Sequence, residues 1–481
     1  MLYRKSIFLI LFQLVIIIIS YMNALKPSNL LKSNLPPKLR SNVKGTWSYD
    51  TMSTRIVDSI LPRIIEDNSA ELSQPTASER AEAFMLLNDL KSSLKCGNEG
   101  YLQEIYDKGH DINVWNEELL GKLEFNERNW LDSPWLISEY YFYRRIASIF
   151  GYFETKYDPF VQDKFRGLVS SIDYIEGLSY GYFRNTEKNE IENHEITNKL
   201  EIKNAILTSL WGNKLDLSLW PATDAEQEAR GENIDSDNDN YKDKGQIETK
   251  NTDSGTITFG DALEKLDDFI LDNQIDITLD KLSKCNNDRK VVGIVVDNAG
   301  YELVTDLYLG HCLLTHGDVD EVIYMTKGHP TFVSDATTED SIETIKYLNE
   351  LDIVKYPSIV KWAKLLESHI ESQKFKFIDD CYWCQPFEYW NMPDHIEEIV
   401  KSCHITFVKG DANYRRLLGD RQWPLETPSK DILDYWPGNV CALRTFKAEL
   451  GCGITPAKQK FAQDNDANWL TSGRFGVIQN N

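Results

Sequence analysis

Asp297 and Asn298 set a carboxylate and an amide oxygen side by side, directly after the apolar run Val291–Val296. Ser334-Asp335 follows EVIYMTKGHPTFV, and Asp411-Ala412-Asn413-Tyr414-Arg415-Arg416 follows ITFVKG. A fourth run, NVCAL, leads into Arg444-Thr445-Phe446-Lys447. Asp297, Asn298 and Asp335 make a hard, all-oxygen donor set. It suits an octahedral divalent ion that keeps water positions open, such as magnesium, manganese, cobalt or nickel. Asx turns at strand ends would account for the same residues. Lys447 lies three residues after Arg444, so both can project from one helix turn. Beside a helix N-terminus the pair would cradle an oxyanion or phosphate; solvated surface charges are the alternative. The KGDANYRR stretch carries more polar groups than a turn needs, which points to ligand contact. Glu302 is a lesser candidate, as a support for Asp297 or as a base. A metal beside a phosphate cradle implies phosphoryl chemistry. The ion would polarise the phosphoryl oxygens and acidify a bound water. Lys447 would offset charge developing on those oxygens in the transition state.

Elements of the right kind are present to position these groups. Val291–Val296 is too short for a typical helix and reads as a strand buried on both faces. Glu321–Thr326, Phe375–Ile378, Ile405–Val408 and Val440–Leu443 are further strand candidates. Stretches of helix length, such as Thr338–Asn349 and Pro357–Ser372, separate them. That alternation predicts an α/β layer with a mostly parallel, doubly wound sheet. Ligands of such sheets sit at the carboxyl ends of strands, where all four polar clusters fall.

From Trp47 to about Leu219 the pattern is helical. Ser133-Pro134 resembles an N-cap followed by proline at the first helical position. Leu136, Tyr140, Tyr143, Ala147 and Phe150 recur on one helix face and are expected to pack. Asp224–Asp253 is acidic and almost free of apolar residues, so it cannot offset its ordering entropy and reads as an exposed insertion. Its Asp235, Asp237 and Asp239 mimic a calcium loop, but Asn240 stands where glycine is required and Gln246 where glutamate is. Deleting the insertion is expected to leave turnover largely unchanged, which an assay of the shortened chain checks.

The net charge of −23 over 481 residues argues against nucleic acid, whose phosphates need lysine and arginine stripes. Arg4-Lys5 and the run Ile7–Ile19 describe a signal peptide or an uncleaved signal anchor. They point to the secretory pathway or to membrane attachment, through this segment alone. The eight cysteines form no disulfide framework. Cys381 and Cys384 make one C-x-x-C without a second pair at zinc-finger spacing, so buried free thiols are expected. The chain thus divides into a leader (1–24), a disordered linker (25–44), an all-helical N-terminal domain (45–220), the acidic insertion (221–256) and an α/β domain (257–481).

DNAGYELVTDL (297–307), FVSDAT (332–337), KGDANYRRLLGDRQW (409–423) and LRTFKAE (443–449) resemble the metal-dependent damage-control phosphatases, in the branch with an Arg-Thr-x-Lys motif. SPWLISEYYFYRR (133–145), WGNKLDLSL (211–219) and WLTSGRFGVIQ (469–479) extend the match along the chain. The resemblance implies a helical N-terminal part on a three-layer α/β/α sandwich with one divalent metal. It implies that Asp297, Asn298 and Asp335 hold that metal, and that Asp411, Ala412, Asn413, Tyr414, Arg415 and Lys447 contact a phosphorylated substrate. The family's activity would be hydrolysis of small sugar phosphates such as fructose 1-phosphate, best with cobalt or nickel. S-adenosylmethionine-dependent methylation of protein glutamates is the alternative attached to this branch, although no G-x-G-x-x-G loop follows a strand here. A monomer acting on a small phosphorylated metabolite is expected. The family's cytosolic location contrasts with the hydrophobic leader.

Overall fold

Each apolar run read as a strand forms one, and two strands that the runs did not reveal complete the sheet. A computed structural model describes residues 35–69, 77–189, 194–212, 266–284 and 289–481. The leader, the acidic insertion and Leu215–Leu219 lie outside the described residues. The strands are β1 (Ile270–Asn273), β2 (Val291–Val295), β3 (Glu321–Lys327), β4 (Phe375–Asp380), β5 (Ile405–Lys409), β6 (Val440–Thr445) and β7 (Gly476–Asn480). Their order is β1-β7-β6-β5-β2-β3-β4. All neighbours are parallel except β6 and β7.

β7 escaped the apolar pattern because its last residues are polar yet buried. Gln479 and Asn480 are 0% and 2% exposed, which is tolerable only because their side chains are fully engaged. Gln479 Nε2 donates to Asp272 at 2.9 Å and to the Cys452 carbonyl at 2.8 Å. Asn480 Nδ2 donates to Thr278 Oγ1 at 3.0 Å.

Helices flank both sheet faces. Before the sheet come α1 (Ala77–Lys95), α2 (Trp135–Ile149), α3 (Val161–Val169), α4 (Ile172–Asn189) and α5 (His194–Trp211). The crossovers carry α6 (Ile275–Ser283), α7 (Tyr301–His316), α8 (Thr338–Asn349), α9 (Pro357–Glu371), α10 (Asp394–Ser402), α11 (Asp411–Leu417) and α12 (Pro456–Asn465). Side chains alternate along each strand. Val292, Ile294, Val322 and Tyr324 enter one core with α4, α5, α7 and α9. Val295, Ile323, Met325 and Val408 enter the other with α2. The N-terminal helices therefore share both cores with the sheet.

β2 is followed in sequence by β3 on one side, while β5 lies on its other side. The crevice at its carboxyl end is thus a topological switch point, where open α/β sheets bind ligands.

Two local expectations need correction. Ser133 does not cap α2: its hydroxyl donates to the Glu127 carbonyl at 2.6 Å, and Pro134 itself occupies the N-cap. Of the linker, residues 35–44 are ordered, because their backbone finds partners that composition does not reveal. Leu39 N donates to the Asp420 carbonyl at 2.8 Å, and the Leu39 carbonyl accepts from Trp135 N at 2.9 Å.

The core beneath α7 holds a histidine pair, His311 Nδ1 being 2.9 Å from His369 Nε2. Burial, with His369 adding, pushes His311 down to about 3, and burial pushes His369 down to about 4. An unfolded imidazole protonates near pH 6.5, so between that value and the folded one the unfolded chain binds more protons. Stability is therefore expected to fall as pH drops below 6.5, by up to ~1.4 kcal/mol per pH unit for His311. Urea midpoints from pH 7 to 5 should fall more steeply in the wild type than in His311→Gln; equal slopes would contradict this.

Candidate active site

β2 ends at Val295, and the turn Asp297–Gly300 that follows it feeds α7. The turn is zippered to the loop after β3 by backbone hydrogen bonds. Ala336 N donates to the Asp297 carbonyl at 2.8 Å, and Ala299 N donates to the Ser334 carbonyl at 2.6 Å. Asn298 and Asp335 thereby become a bridged pair. That pairing brings Asp335 to the adjacent Asp297 and Asn298 from a distant part of the chain.

The loop is bent to do so. Phe332 and Val333 have φ of 51° and 64°, a costly conformation for a β-branched residue. Phe332 is held by α2, its ring 4.6 Å from Tyr140 and 4.9 Å from Tyr143. The aromatic stripe of α2 does pack, and what it packs on is the loop that aims Asp335. On the other side Gly410 (φ 80°) begins α11 so close to Asp297 that a Cβ would lie on its carboxylate. Only glycine fits there.

Asn298 Nδ2 donates to Asp297 Oδ2 at 2.9 Å and to Glu302 Oε2 at 2.7 Å, and its Oδ1 accepts from Ser334 at 2.5 Å. Asp297 Oδ1 is buried without a hydrogen-bond partner among the described residues. Asp335 Oδ2 is ion-paired with the Lys327 ammonium at 3.1 Å. Burial, together with the carboxylates of Asp335 and Glu302, raises Asp297 well above the usual range. Burial raises Asp335 as well, against the pull of Lys327. Below them Lys409 reaches Asp306 at 2.8 Å and Glu302 at 3.5 Å. Burial lifts Asp306 to about 6, opposed by that ammonium.

Crowded, desolvated carboxylates with an unpartnered oxygen are costly as they stand, and a cation would relieve them. Two carboxylates and an amide oxygen are donors that fit a hard divalent ion. Among the described residues no group of three or more His, Cys, Asp or Glu is arranged to hold a metal.

Lys447 sits half-buried in the loop after β6, and its ammonium makes no ion pair with described residues. Its charge acts, as the smallest of several influences, to lower the Asp297 carboxyl. The expected shared helix turn of Arg444 and Lys447 does not exist, because Val440–Thr445 is extended. Arg444 is instead fully buried. It donates to Asp411 Oδ1 at 2.7 Å and to the carbonyls of Leu450 and Ala448 at 2.7 and 3.0 Å. Asp411 in turn accepts from Lys447 N at 3.1 Å. Arg444 and Asp411 thus brace the loop that presents Lys447.

The residues from Asp411 to Arg415 divide by burial. Asp411 and Ala412 are half-buried. Asn413 lies deeper, accepting from Tyr389 at 2.7 Å and lying 3.4 Å from Lys327 Nζ, while its amide donates to the Val296 carbonyl at 3.0 Å. Tyr414 donates to Gln479 at 2.6 Å in the interior. Arg415 is held by Glu139 at 2.6 Å and Asp420 at 2.8 Å, with Trp135 under its guanidinium at 3.5 Å. The polar ends of Tyr414 and Arg415 are thus committed to protein partners.

Sequence reasoning passed over Lys327, Lys409 and Asp306. A signal was present: β3 and β5 both end in Lys-Gly, a charge terminating a buried strand, and such a charge is rarely buried unless paired.

The sequence profile described as the Damage-control phosphatase ARMT1-like domain matches residues 52–243 and 240–461. The chain is similar to Damage-control phosphatase ARMT1 of Bos taurus, 31% identical over 83% of this chain and 86% of that one. With the Homo sapiens protein of the same name it is 30% identical over 92% and 98%. A crystal structure of a DUF89 family protein from Pyrococcus horikoshii aligns at TM-score 0.36 and 14% identity, over 81% of this chain and 91% of that chain.

Proposed function

The chain belongs to the ARMT1-like damage-control phosphatase family, and from that premise we propose that it hydrolyses small sugar phosphates with the help of one divalent ion. The observation that carries this reading is the group of desolvated carboxylates, with an Asp297 oxygen that has no hydrogen-bond partner among the described residues, under the influence of a Lys447 ammonium that makes no ion pair with them. Asp297, Asn298 and Asp335 would hold a cobalt, nickel, manganese or magnesium ion. Bound there, the ion supplies Lewis acidity and an acidified water.

The protein's own residues do the rest. Asn298 receives its orientation from Glu302, which accepts one amide hydrogen and leaves Oδ1 facing Ser334. Lys327 holds Asp335 in place, and Lys409 offsets the charge of Glu302 and Asp306. Lys447 orients the phosphoryl oxygens and takes up their growing charge in the transition state, where a preplaced ammonium costs no reorganisation. Lys447→Met is expected to lower kcat for phosphate release about a hundredfold while leaving the fold intact, since the side chain is half-exposed. An unchanged kcat would remove Lys447 from this role.

The test of the whole reading is a panel assay on the full chain. Phosphate release from fructose 1-phosphate and related esters with cobalt, nickel, manganese or magnesium supports it. Methyl transfer from S-adenosylmethionine to a glutamate, without phosphate release, would replace it.

A further inference from the structure

The C-x-x-C motif takes no part in the site described above, yet its setting is not that of two inert thiols. Cys381–Cys384 forms a single 3-10 turn directly after β4. In that geometry residues three apart eclipse one another with a rise of about 2.0 Å per residue, so their Cα atoms lie about 6 Å apart. A disulfide spans such a separation, and both thiols are free.

The two sulfurs differ in access. Cys381 is half-buried and lines a cavity of about 680 Å³ with His110, Lys122 and His395. Cys384 lies behind it, 1% exposed, with its Sγ donating to the His329 carbonyl at 3.3 Å.

They differ in charge environment too. The imidazole of His329 is fully buried, its Nε2 3.6 Å from Asp111 and without a hydrogen-bond partner among the described residues. Asp111 is anchored by Arg144 at 2.8 Å. Burial alone would lower His329, but Cys384 and Asp111 outweigh it and push it up to about 10. Burial alone would raise Cys384, but the charge on His329 outweighs it and brings that thiol below its ordinary value. Cys381 moves the other way, lifted by burial and by Cys384 to about 12. A buried thiol brought below its ordinary value by a buried imidazole, with a second sulfur one 3-10 turn away at the surface, holds the parts of a peroxide-oxidised pair.

We propose that Cys381 and Cys384 are a redox site for hydrogen peroxide, with Cys384 as the attacking sulfur and Cys381 as the resolving one. The Cys384 thiolate attacks one peroxide oxygen and the O–O bond breaks. The departing hydroxide takes a proton from His329 Nε2 and leaves as water. The Cys381 sulfur then attacks Cys384 Sγ, displacing hydroxide, which leaves as water with the Cys381 proton. Two thiols and one peroxide give one disulfide and two waters; the sulfurs are oxidised and the peroxide is reduced.

Peptide mass spectrometry of the full chain, treated with peroxide and then alkylated, tests this. The Cys381–Cys384 peptide is expected to lose two hydrogens and resist alkylation, and dithiothreitol should restore it. Cys381→Ser should instead give a dimedone-trapped sulfenic acid on Cys384, and Cys384→Ser should leave Cys381 unoxidised. Free thiols in the wild-type peptide while exposed Cys96 is oxidised, or a sulfenic acid on Cys381 in Cys384→Ser, would overturn the proposal. The readout is a mass, so it stands or falls separately from the phosphatase reading.

Discussion

Asp297→Asn is expected to cut kcat for phosphate release about a thousandfold, some 4 kcal/mol of transition-state stabilisation, and at the same time to stabilise the metal-free protein. The two effects share one cause. Asp297 is buried against Asp335 and Glu302, and its carboxyl is raised for that reason. The charge that would hold an ion is a liability without one. Neutralising it removes a like-charge contact worth about 1 kcal/mol or more at the effective dielectric of such sites.

The pH dependence follows. The folded state retains the Asp297 proton where the unfolded chain has lost it, so metal-free stability falls as pH rises from the ordinary carboxylate value of 3.8 through the raised one. Asp297→Asn should flatten that limb. A divalent ion should raise the melting temperature of the wild type and not of the variant. Calorimetry in chelator and in manganese, beside the kinetic assay, checks both halves. A wild type indifferent to manganese and a variant that still turns over would refute the assignment.

Arg415→Met is expected to destabilise the fold by about 3–5 kcal/mol, since it strands two buried carboxylates. Glu139 and Asp420 both depend on this guanidinium, and burial already raises Glu139 against its pull. Urea unfolding measures the loss. The same variant decides whether Arg415 meets substrate. With a structural role alone, the folded fraction keeps a near-normal KM. A large rise in KM with stability unchanged would return Arg415 to the substrate.

Much of this could be read before any coordinates. β2, β3 and β5 appear as mostly apolar runs because strands covered on both faces favour apolar side chains along their length. α8 matches its sequence limits, because Thr337 and Asp340 form a reciprocal capping box that local spacing encodes. β7 was invisible because its buried Gln479 and Asn480 are satisfied by residues hundreds of positions away. The ordered stretch 35–44 was missed for the same reason, its partners being Asp420 and Trp135.

For the site, residue type and strand-end position singled out Asp297, Asn298, Asp335 and Lys447, because such chemistry needs oxygen donors and an ammonium, and switch-point topology says where they go. Sequence could not say which way a polar side chain turns. Arg444 and Arg415 read like ligand contacts and lie ion-paired with buried carboxylates, while Lys327 and Lys409 read like strand ends and lie beside the carboxylates of the site. The residue types of the candidate site are a local property, written in the covalent chain. Their partnership is a long-range electrostatic one, settled only when packing removes the water and forces each charge to find another.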